Sequence, residues 1–465
     1  MQFSDRVKVK LIGDRAFYKK VFRIFLPAVV HVSVTNFVNF LDNLMIGKLG
    51  TAQMSGVGVS NQLLLVFNMI IFGVLSAAGI FSVQFFGSQD FSGVRKVFRA
   101  KIYMGVVTTV LGIALFLTAD EALLSLFLQG EGSKELAESI LANAKTYLHI
   151  MLFGLPAFVL SQSISTTMRE SGEMKVPMQA GVAALLTNLT GNYLLIFGNL
   201  GFPKLGLIGA AIATALSRYV ELGIISYAAK YNDKFRFFKG VFRSFSVPAS
   251  LWKDIFIKGA PLMLNEILWS LSMSAVNQIY SRRALKVLAA INISSSVVGM
   301  FTVVLIASGT AVAVIIGHLL GAGKTEQAKK EAWQLMSFSF FACALLGALL
   351  YFLAPLFPKM FNTQDEIRQT AVSFMRTFSI VLPVKAATNC SYYTLRAGGK
   401  TVITFLFDSA FNWVVLIPLA YALVEYTSLP IEELYFWVQA ATLLKLLLGL
   451  VLVQRGTWVH NLVKA

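Results

Sequence analysis

The chain has 465 residues, of which 56% are hydrophobic and 14% are charged, and its formal net charge is +17. Soluble domains carry about 25% charged residues, so this chain has too few polar groups to cover a water-facing surface. Its mean hydropathy of +0.70 and its recurring apolar runs instead predict a helical protein that crosses a membrane several times. The short alternating segments of a membrane β-barrel do not occur in the sequence.

Twelve apolar runs predict twelve transmembrane helices. They cover residues 22–46, 61–86, 102–119, 140–165, 178–198, 206–228, 260–281, 291–317, 333–354, 372–394, 402–424 and 434–453. The first run follows a polar and basic segment without a cleavage signal, so we expect it to remain as an anchor.

Basic residues concentrate in alternate connections between these runs. The N-terminal segment, residues 95–101 and the central linker 229–259 are rich in Lys and Arg, whereas residues 119–139 are acidic. By the positive-inside rule, both termini and the linker face the cytoplasm of a cell-membrane protein. The net charge is therefore interpreted as loop charge and not as a nucleic-acid surface. One connection breaks the rule, because it is expected outside and contains Arg282 and Arg283.

The two halves of the chain resemble each other. The stretch LPAFVLSQSISTTMRESG (155–172) aligns with LPVKAATNCSYYTLRAGG (382–399), and Gly87 aligns with Gly321. Six spans per half is an even number, so both halves insert with the same orientation. We therefore predict an all-α fold of two six-helix lobes related by a pseudo-two-fold axis along the membrane normal, as in many transporters.

The expected domains follow from this repeat. They are a cytoplasmic N-terminal segment (1–20), an N-lobe (21–228), a cytoplasmic linker (229–259), a C-lobe (260–454) and a cytoplasmic tail (455–465).

Ionisable residues inside a span cost about 2.5–3.5 kcal/mol on insertion scales, so they are functional candidates by default. The spans contain five that stand out: Asp42, Glu266, Lys385, Asp408 and Lys445. Asp42 shares one helical stripe with Asn39 and other polar residues of the first span. A carboxylate there indicates either a buried group that is hydrogen-bonded for packing or a site for a proton or a hard cation.

Amides accompany the other acids. Asn265 and Asn277 lie near Glu266, Asn412 follows Asp408 by one turn, and Asn188 and Asn192 are one turn apart in the fifth span. Such amides either join membrane helices by hydrogen bonds or line a polar site.

Two lysines within spans have different settings. Lys385 follows a helix proline, so it either belongs to a ligand site or pairs with Glu266 or Asp408. Lys445 has only apolar neighbours in sequence, and we expect a structural role for it.

Other chemistry has no support in the sequence. The stretch GHLLGAGKT resembles a phosphate loop but has the wrong spacing, and the two cysteines, each in an apolar run, suggest neither a disulfide framework nor a metal site. We therefore expect no enzyme activity and no cofactor, and energy must come from an ion gradient.

The motifs FLDNLMIGKLG, TMRESGEMKVPM, NLTGNYLLIFGNLGFPKLGLIGAAIATALSR and LRAGGKT together resemble the prokaryotic multidrug and toxic compound extrusion (MATE) family along essentially the whole chain. The resemblance implies a V-shaped pair of six-helix lobes and efflux of organic cations by Na⁺ or H⁺ antiport.

The resemblance also implies roles for single residues. Asp42, Asn188 and Thr214 match a cation site in the N-lobe, and Na⁺ is a possible occupant at Asp42 and Asn188. Asn192 stands where some members have an aspartate. Glu266 resembles the glutamate of the C-lobe. Lys400 stands where certain members have an aspartate, so Asp408 is the candidate for that part.

These features lead to one hypothesis and one alternative. The hypothesis is a monomeric drug antiporter in which Asp42 binds the coupling ion, while Glu266 and Asp408 attract a cationic amphipathic substrate or a second ion. The alternative is a flippase for lipids or lipid-linked oligosaccharides of the same superfamily, which Lys385 and the Arg282–Arg283 pair favour slightly and the acids oppose.

Overall fold

A computed structural model describes residues 11–127, 134–283, 285–360 and 363–463, and these residues are helical with no strand among them. Twelve long helices lie within the described ranges: α1 (Arg15–Gly47), α2 (Thr51–Gly87), α3 (Phe91–Thr118), α4 (Lys134–Glu170), α5 (Lys175–Phe197), α6 (Leu207–Tyr231), α7 (Ala249–Ser281), α8 (Leu285–Phe301 and Val303–Gly321), α9 (Thr325–Leu353), α10 (Asp365–Ala397), α11 (Thr401–Tyr426) and α12 (Ile431–Ala440 and Thr442–Gln454). Each predicted span coincides with one of these helices to within one residue or lies inside it, so the predicted all-α fold is confirmed.

Shorter helical segments complete the described chain. They are an α-helix at Asp120–Ser125 and 3₁₀ turns at Asn199–Gly201, Asp233–Phe238, Val241–Arg243 and Phe357–Met360.

The internal repeat is visible in how the helices end. Gly172 after α4 and Gly399 after α10 both take the left-handed conformation, with φ of 87° and 70°. In each case the next amide bonds back five residues, from Glu173 to Met168 at 3.2 Å and from Lys400 to Leu395 at 3.3 Å. Both ends therefore have the hydrogen bonding of a Schellman cap, in which glycine avoids the steric cost of a positive φ.

The ends of α2 and α8 repeat a second cap in the same way. Asp90 bonds back to Phe85 at 3.0 Å, and Lys324 bonds back to Leu319 at 2.9 Å. The residue with positive φ is Gly323 after α8 but Gln89 after α2. The repeat therefore preserves the backbone geometry even where it has lost the glycine.

Two of the twelve helices are less apolar than the rest. Among the described residues, ten helices are long and apolar enough to cross a membrane, and α7 and α10 are not in that set. These two helices contain Glu266, Lys385 and Arg396. The polar and charged residues of α7 and α10 thus lower the hydropathy of these two helices.

The chain divides into two compact units. The N unit comprises Val30–Ser82 and Phe91–Ile255, and the C unit comprises Met1–Val29, Val83–Asp90 and Phe256–Ala465. The C unit therefore includes the start of α1 and the last turn of α2, which the sequence placed with the N-lobe.

Close backbone packing explains why the end of α2 belongs to the C unit. A Cβ atom built on Gly321 would lie 1.9 Å from the Gln84 carbonyl oxygen, and one on Gly87 would lie 2.2 Å from that of His318. The buried Gln84 side chain also donates to the Ala397 carbonyl at 2.8 Å and accepts from the Leu462 amide at 2.7 Å. The two aligned glycines thus allow α2 and α8 to touch backbone to backbone within this unit.

The central linker is ordered within the N unit. Phe235 and Phe237 are buried, and the Arg99 guanidinium of α3 donates to the carbonyls of Val241 at 2.6 Å and Ser246 at 2.9 Å. These contacts fasten the first half of the linker to α3, so it is not a free tether.

The glycine contact generates a prediction. Replacing Gly321 with Ala places a methyl group inside the Gln84 backbone, and such overpacking costs about 1–3 kcal/mol. We expect a lower midpoint of thermal unfolding in detergent. Gly223→Ala is the matched control, because a Cβ there meets no atom within 4 Å. Equal midpoints for the two variants would contradict the packing argument.

Candidate functional site

The N unit brings four of the predicted site residues together. The Asn192 amide of α5 donates to the carboxylate of Asp42 on α1. With its amide nitrogen turned toward Asp42, Asn188 donates to both carboxylate oxygens at 3.0 and 3.1 Å and accepts from the Thr214 hydroxyl of α6 at 3.0 Å. Asn188 and Asn192 are 5% and 0% exposed. The arrangement is a half-buried carboxylate held by two buried amides, and the side chain of Asn39 lies outside the described residues.

Small residues on α5 allow this approach. Ala180, Gly181 and Ala184 are buried and precede Asn188 and Asn192 at helical spacing. A Cβ atom on Gly181 would lie 2.4 Å from the imidazole of His31, so α1 crosses α5 directly over this glycine. Small residues at helix interfaces in membranes permit such short distances between axes.

The site has a negative charge without a basic partner. Within the described part of the chain, Asp42 forms no ion pair with a Lys, Arg or His side chain. Arg218 on the nearby α6 instead pairs with Glu221 at 3.7 Å. The buried Oδ1 of Asn192 also has no hydrogen-bond donor. A carboxylate and an amide carbonyl are oxygen ligands of the kind that hard cations accept, and the carboxylate can also take a proton.

Sequence reasoning missed Tyr147 at this site. Its ring on α4 is 4% exposed, and its hydroxyl lies against Thr214 and near Asp42. A single tyrosine in an apolar run carries no signal of its own, and its position follows only from the packing of α4 against α6.

The C unit contains a larger polar cluster. The Asn265 amide of α7 donates to Asp408 at 3.0 Å and to the Tyr392 hydroxyl at 3.2 Å. The Arg396 guanidinium donates to Glu266 at 3.2 Å and to Tyr392 at 3.0 Å. Side chains from α7, α10 and α11 are therefore joined in one network.

Both acids of this cluster are paired with a base. Arg396 neutralises Glu266, and the Lys445 ammonium of α12 lies 2.6 Å from Asp408. The Lys445 ammonium also donates to the side-chain oxygen Oδ1 of Asn412 at 3.4 Å. The two acids of this cluster are thus compensated by bases, in contrast to Asp42.

The local conformation of α11 helps to place Asp408 and Asn412. Residues Leu406–Ala410 and Asn412–Leu416 form π-helical turns. Wider turns of this kind frequently occur at functional sites in helices.

Two candidate residues of the C-lobe, Lys385 and Asn277, take no part in this network of described residues. Lys385 pairs with neither Glu266 nor Asp408, because Arg396 and Lys445 occupy those acids. Its ammonium instead lies 5.5 Å from the ring of Phe378. Asn277 is exposed near the end of α7, eleven residues beyond Glu266, and takes no part in the described network.

Two arginines that broke the charge rule have local partners. Arg282 pairs with Glu425 at 3.1 Å, and Arg283 donates to the carbonyls of Leu423, at 3.1 Å, and Thr427. Cations at a helix C-terminus satisfy its free carbonyls, so this pair holds the end of α11.

The described residues contain no cluster of side chains typical of a transition-metal site. No group of three or more His, Cys, Asp or Glu side chains lies together in the ranges that the structure describes. A site at Asp42 would have to hold its ion with one carboxylate, amide oxygens and a hydroxyl, which are the oxygen ligands that hard cations accept.

The Asp408–Lys445 pair generates a prediction. Lys445→Met leaves a buried, uncompensated carboxylate, and breaking a buried pair in this way costs about 3–5 kcal/mol. We expect a lower midpoint of thermal unfolding in detergent, with most of the loss recovered in Asp408→Asn/Lys445→Met. Lys385→Met is the control, because it breaks no ion pair. A double variant as unstable as Lys445→Met would exclude the pairing as the cause.

Comparison with known proteins agrees with this architecture. Residues 27–194 and 261–422 match the MatE family model. The chain is 24% identical over 445 residues to the probable multidrug resistance protein NorM of Thermotoga maritima, covering 95% of this chain and 93% of that protein. It is 25% identical over 451 residues to the probable multidrug resistance protein YoeA of Bacillus subtilis, covering 94% of each.

Solved structures show the same fold. An outward-facing multidrug resistance MATE family transporter of the MOP superfamily superposes with a TM-score of 0.85 at 19% identity, covering 99% of both chains. A MOP superfamily transporter from Pyrococcus furiosus, described as having a binding pocket of reverse polarity, gives a TM-score of 0.85 at 20% identity and the same coverage. The family model matches both halves, and the twelve helices fit these folds, so the chain belongs to the MatE family of membrane proteins.

Proposed function

We propose that the protein is a secondary multidrug transporter that exports organic cations across the cell membrane in exchange for Na⁺ or H⁺. The names of its relatives support drug transport, and the observation that carries the coupling is the unpaired carboxylate of Asp42. A half-buried acid within a membrane helix that lacks a basic partner can take its neutralising charge from solution, as a coupling site must do.

Either ion suits the described groups. A proton would sit on the Asp42 carboxylate, with the amides of Asn188 and Asn192 still donating to its free oxygen. A sodium ion would use the same carboxylate together with the unpartnered Oδ1 of Asn192 and the Thr214 hydroxyl oxygen. The second case needs the carbonyl oxygen of Asn192, which a protonated site leaves unsatisfied.

Coupling requires more than binding at Asp42. The ion and the drug must each bind the outward-open and inward-open states with different affinity, because a ligand with equal affinity shifts no equilibrium. Asp42 is held by residues of α5 and α6, and His31 on the same helix touches Gly181 of α5. Neutralising Asp42 would weaken the charge-assisted hydrogen bonds between these helices, which gives the ion a physical effect on the packing of α1.

The C unit contains a second group of residues that can hold a cation, made of acids and aromatic rings. Lys445 lies 5.6 Å from the rings of both Phe407 and Phe411, and Arg396 lies 5.7 Å from the ring of Tyr393. Aromatic faces and acids that hold these side-chain cations have the chemistry to hold an organic cation. Glu266 and Asp408 would therefore bind substrate by exchanging Arg396 or Lys445 for it.

The flippase alternative gains little from the structure. Arg282 is neutralised by Glu425, and Arg283 is used by the carbonyls at the end of α11. Of the cations that favoured an anionic ligand, Lys385 remains. The proposal also includes a monomeric protein in the cell membrane, and the loop charges support cytoplasmic termini.

Removing the charge of Asp42 tests the coupling site. We expect Asp42→Asn to abolish drug transport driven by an ion gradient in inside-out vesicles, while the purified protein still binds the drug. The amide keeps the size of the side chain but cannot gain or lose a proton and adds no charge for Na⁺. Transport is measured under separate Na⁺ and H⁺ gradients.

The matched control is Asp254→Asn, since Asp254 is an exposed acid in α7. It should transport as the unmodified protein does. Normal gradient-driven transport by Asp42→Asn would exclude Asp42 as the coupling residue.

A further inference from the structure

A basic cleft lies between the end of α9 and the start of α10, within the C unit. Its volume is about 640 Å³, and the cations that line it are Lys359, Arg368 and Arg376. One acid, Asp365, faces them, so the cleft has an excess of two positive charges.

The basic side chains are held in place by neighbours. Arg368 pairs with Asp365 at 2.8 Å, and the Arg376 guanidinium stacks over the ring of Tyr351 at 5.1 Å. Lys359 and Arg376 are both exposed. Stacking fixes the plane of a guanidinium while leaving its N–H groups available for an anion.

The cleft continues into an apolar surface. Arg368, Val372, Arg376 and Ile380 are spaced four apart on α10 and line the same wall. Ile380 is 58% exposed, and Leu345 and Phe352 on α9 are 74% and 76% exposed. Exposed aliphatic and aromatic groups of this kind on a membrane helix face acyl chains. The surface is therefore amphipathic along the helix axis.

The topology does not account for these cations. By the alternation of loop charge, the α9–α10 connection is expected on the outer side, where the positive-inside rule predicts few basic residues. An aromatic residue beside Arg376 also fits the interface level of a bilayer, where tyrosine is enriched.

We propose that this cleft binds the headgroup of an anionic phospholipid of the outer leaflet. Its phosphate lies between Arg368 and Arg376, with the hydroxyls of Ser373 and Thr377 in the same cleft. The acyl chains follow Ile380 and the exposed side chains of α9. The excess of positive charge selects a lipid with net negative charge over a zwitterionic one. The apolar wall distinguishes a lipid from a soluble phosphate, which would gain nothing from it.

Competition between lipids tests this site. Full-length protein in detergent is offered an equimolar mixture of phosphatidylglycerol and phosphatidylcholine, and the first bound lipid is identified by native mass spectrometry. We expect Arg376→Gln to lower the preference for phosphatidylglycerol about fivefold, the effect of one basic residue near a membrane surface. Arg376→Lys should retain most of the preference.

Arg282→Gln is the matched control, because Arg282 also stacks on a tyrosine, Tyr421 at 5.5 Å, on the same expected side. It should bind phosphatidylglycerol as the unmodified protein does. An unchanged preference in Arg376→Gln, an equal loss in Arg282→Gln, or displacement of the lipid by an equal concentration of inorganic phosphate would each overturn the proposal. Equal midpoints of thermal unfolding for the variants exclude misfolding as the cause.

Discussion

The structure depends on how its carboxylates are stabilised within the membrane helices. A carboxylate within a membrane helix is unfavourable unless it is neutralised or hydrogen-bonded, and the chain stabilises its acids in two ways. In the C unit, Glu266 and Asp408 receive charge from Arg396 and Lys445. In the N unit, Asp42 receives hydrogen bonds from two amides and no charge from any described side chain. In our proposal, Asp42 is the carboxylate that takes its neutralising charge from the coupling ion.

This contrast is sharper because the two halves are otherwise alike. The ends of α4 and α10 share one cap, and the ends of α2 and α8 share another. The backbone therefore preserves the repeat, while the polar clusters have diverged. The two halves thus share a backbone fold but differ in how their acids are paired. In our proposal, the N unit binds the coupling ion, and the acids of the C unit bind the cationic substrate in place of Arg396 or Lys445.

The sequence alone predicts the positions of the helices and identifies candidate site residues that lie on neighbouring turns of one helix. Asn188 and Asn192 could be paired because they are one turn apart, and the stripe of α1 pointed to Asp42. The apolar sequence neighbours of Lys445 indicate a structural role for this residue. Its partner Asp408 is 37 residues away on another helix, and only tertiary packing reveals the pair.

Contacts between distant parts of the chain also explain other features that the sequence alone does not show. Tyr147 lies on α4 and joins the site through Thr214 of α6, at a sequence separation that no helical period can detect. The sequence leaves Lys385 either in a ligand site or in a pair with Glu266 or Asp408, and in the structure Arg396 and Lys445 pair with those acids. Composition alone could not tell which of three nearby cations each acid would take. The last turn of α2 belongs to the C unit through contacts with Gly321 that depend on the absence of a side chain.

The central claim is that Asp42 exchanges its ion when the drug binds, and ion release measures this directly. Purified protein in weakly buffered detergent is mixed with a cationic drug, and released H⁺ and Na⁺ are followed by a pH indicator and by radioactive sodium. We predict release of about one ion per bound drug, lost in Asp42→Asn and retained in Glu266→Gln. Release that persists in Asp42→Asn, or that disappears only in Glu266→Gln, would contradict the account.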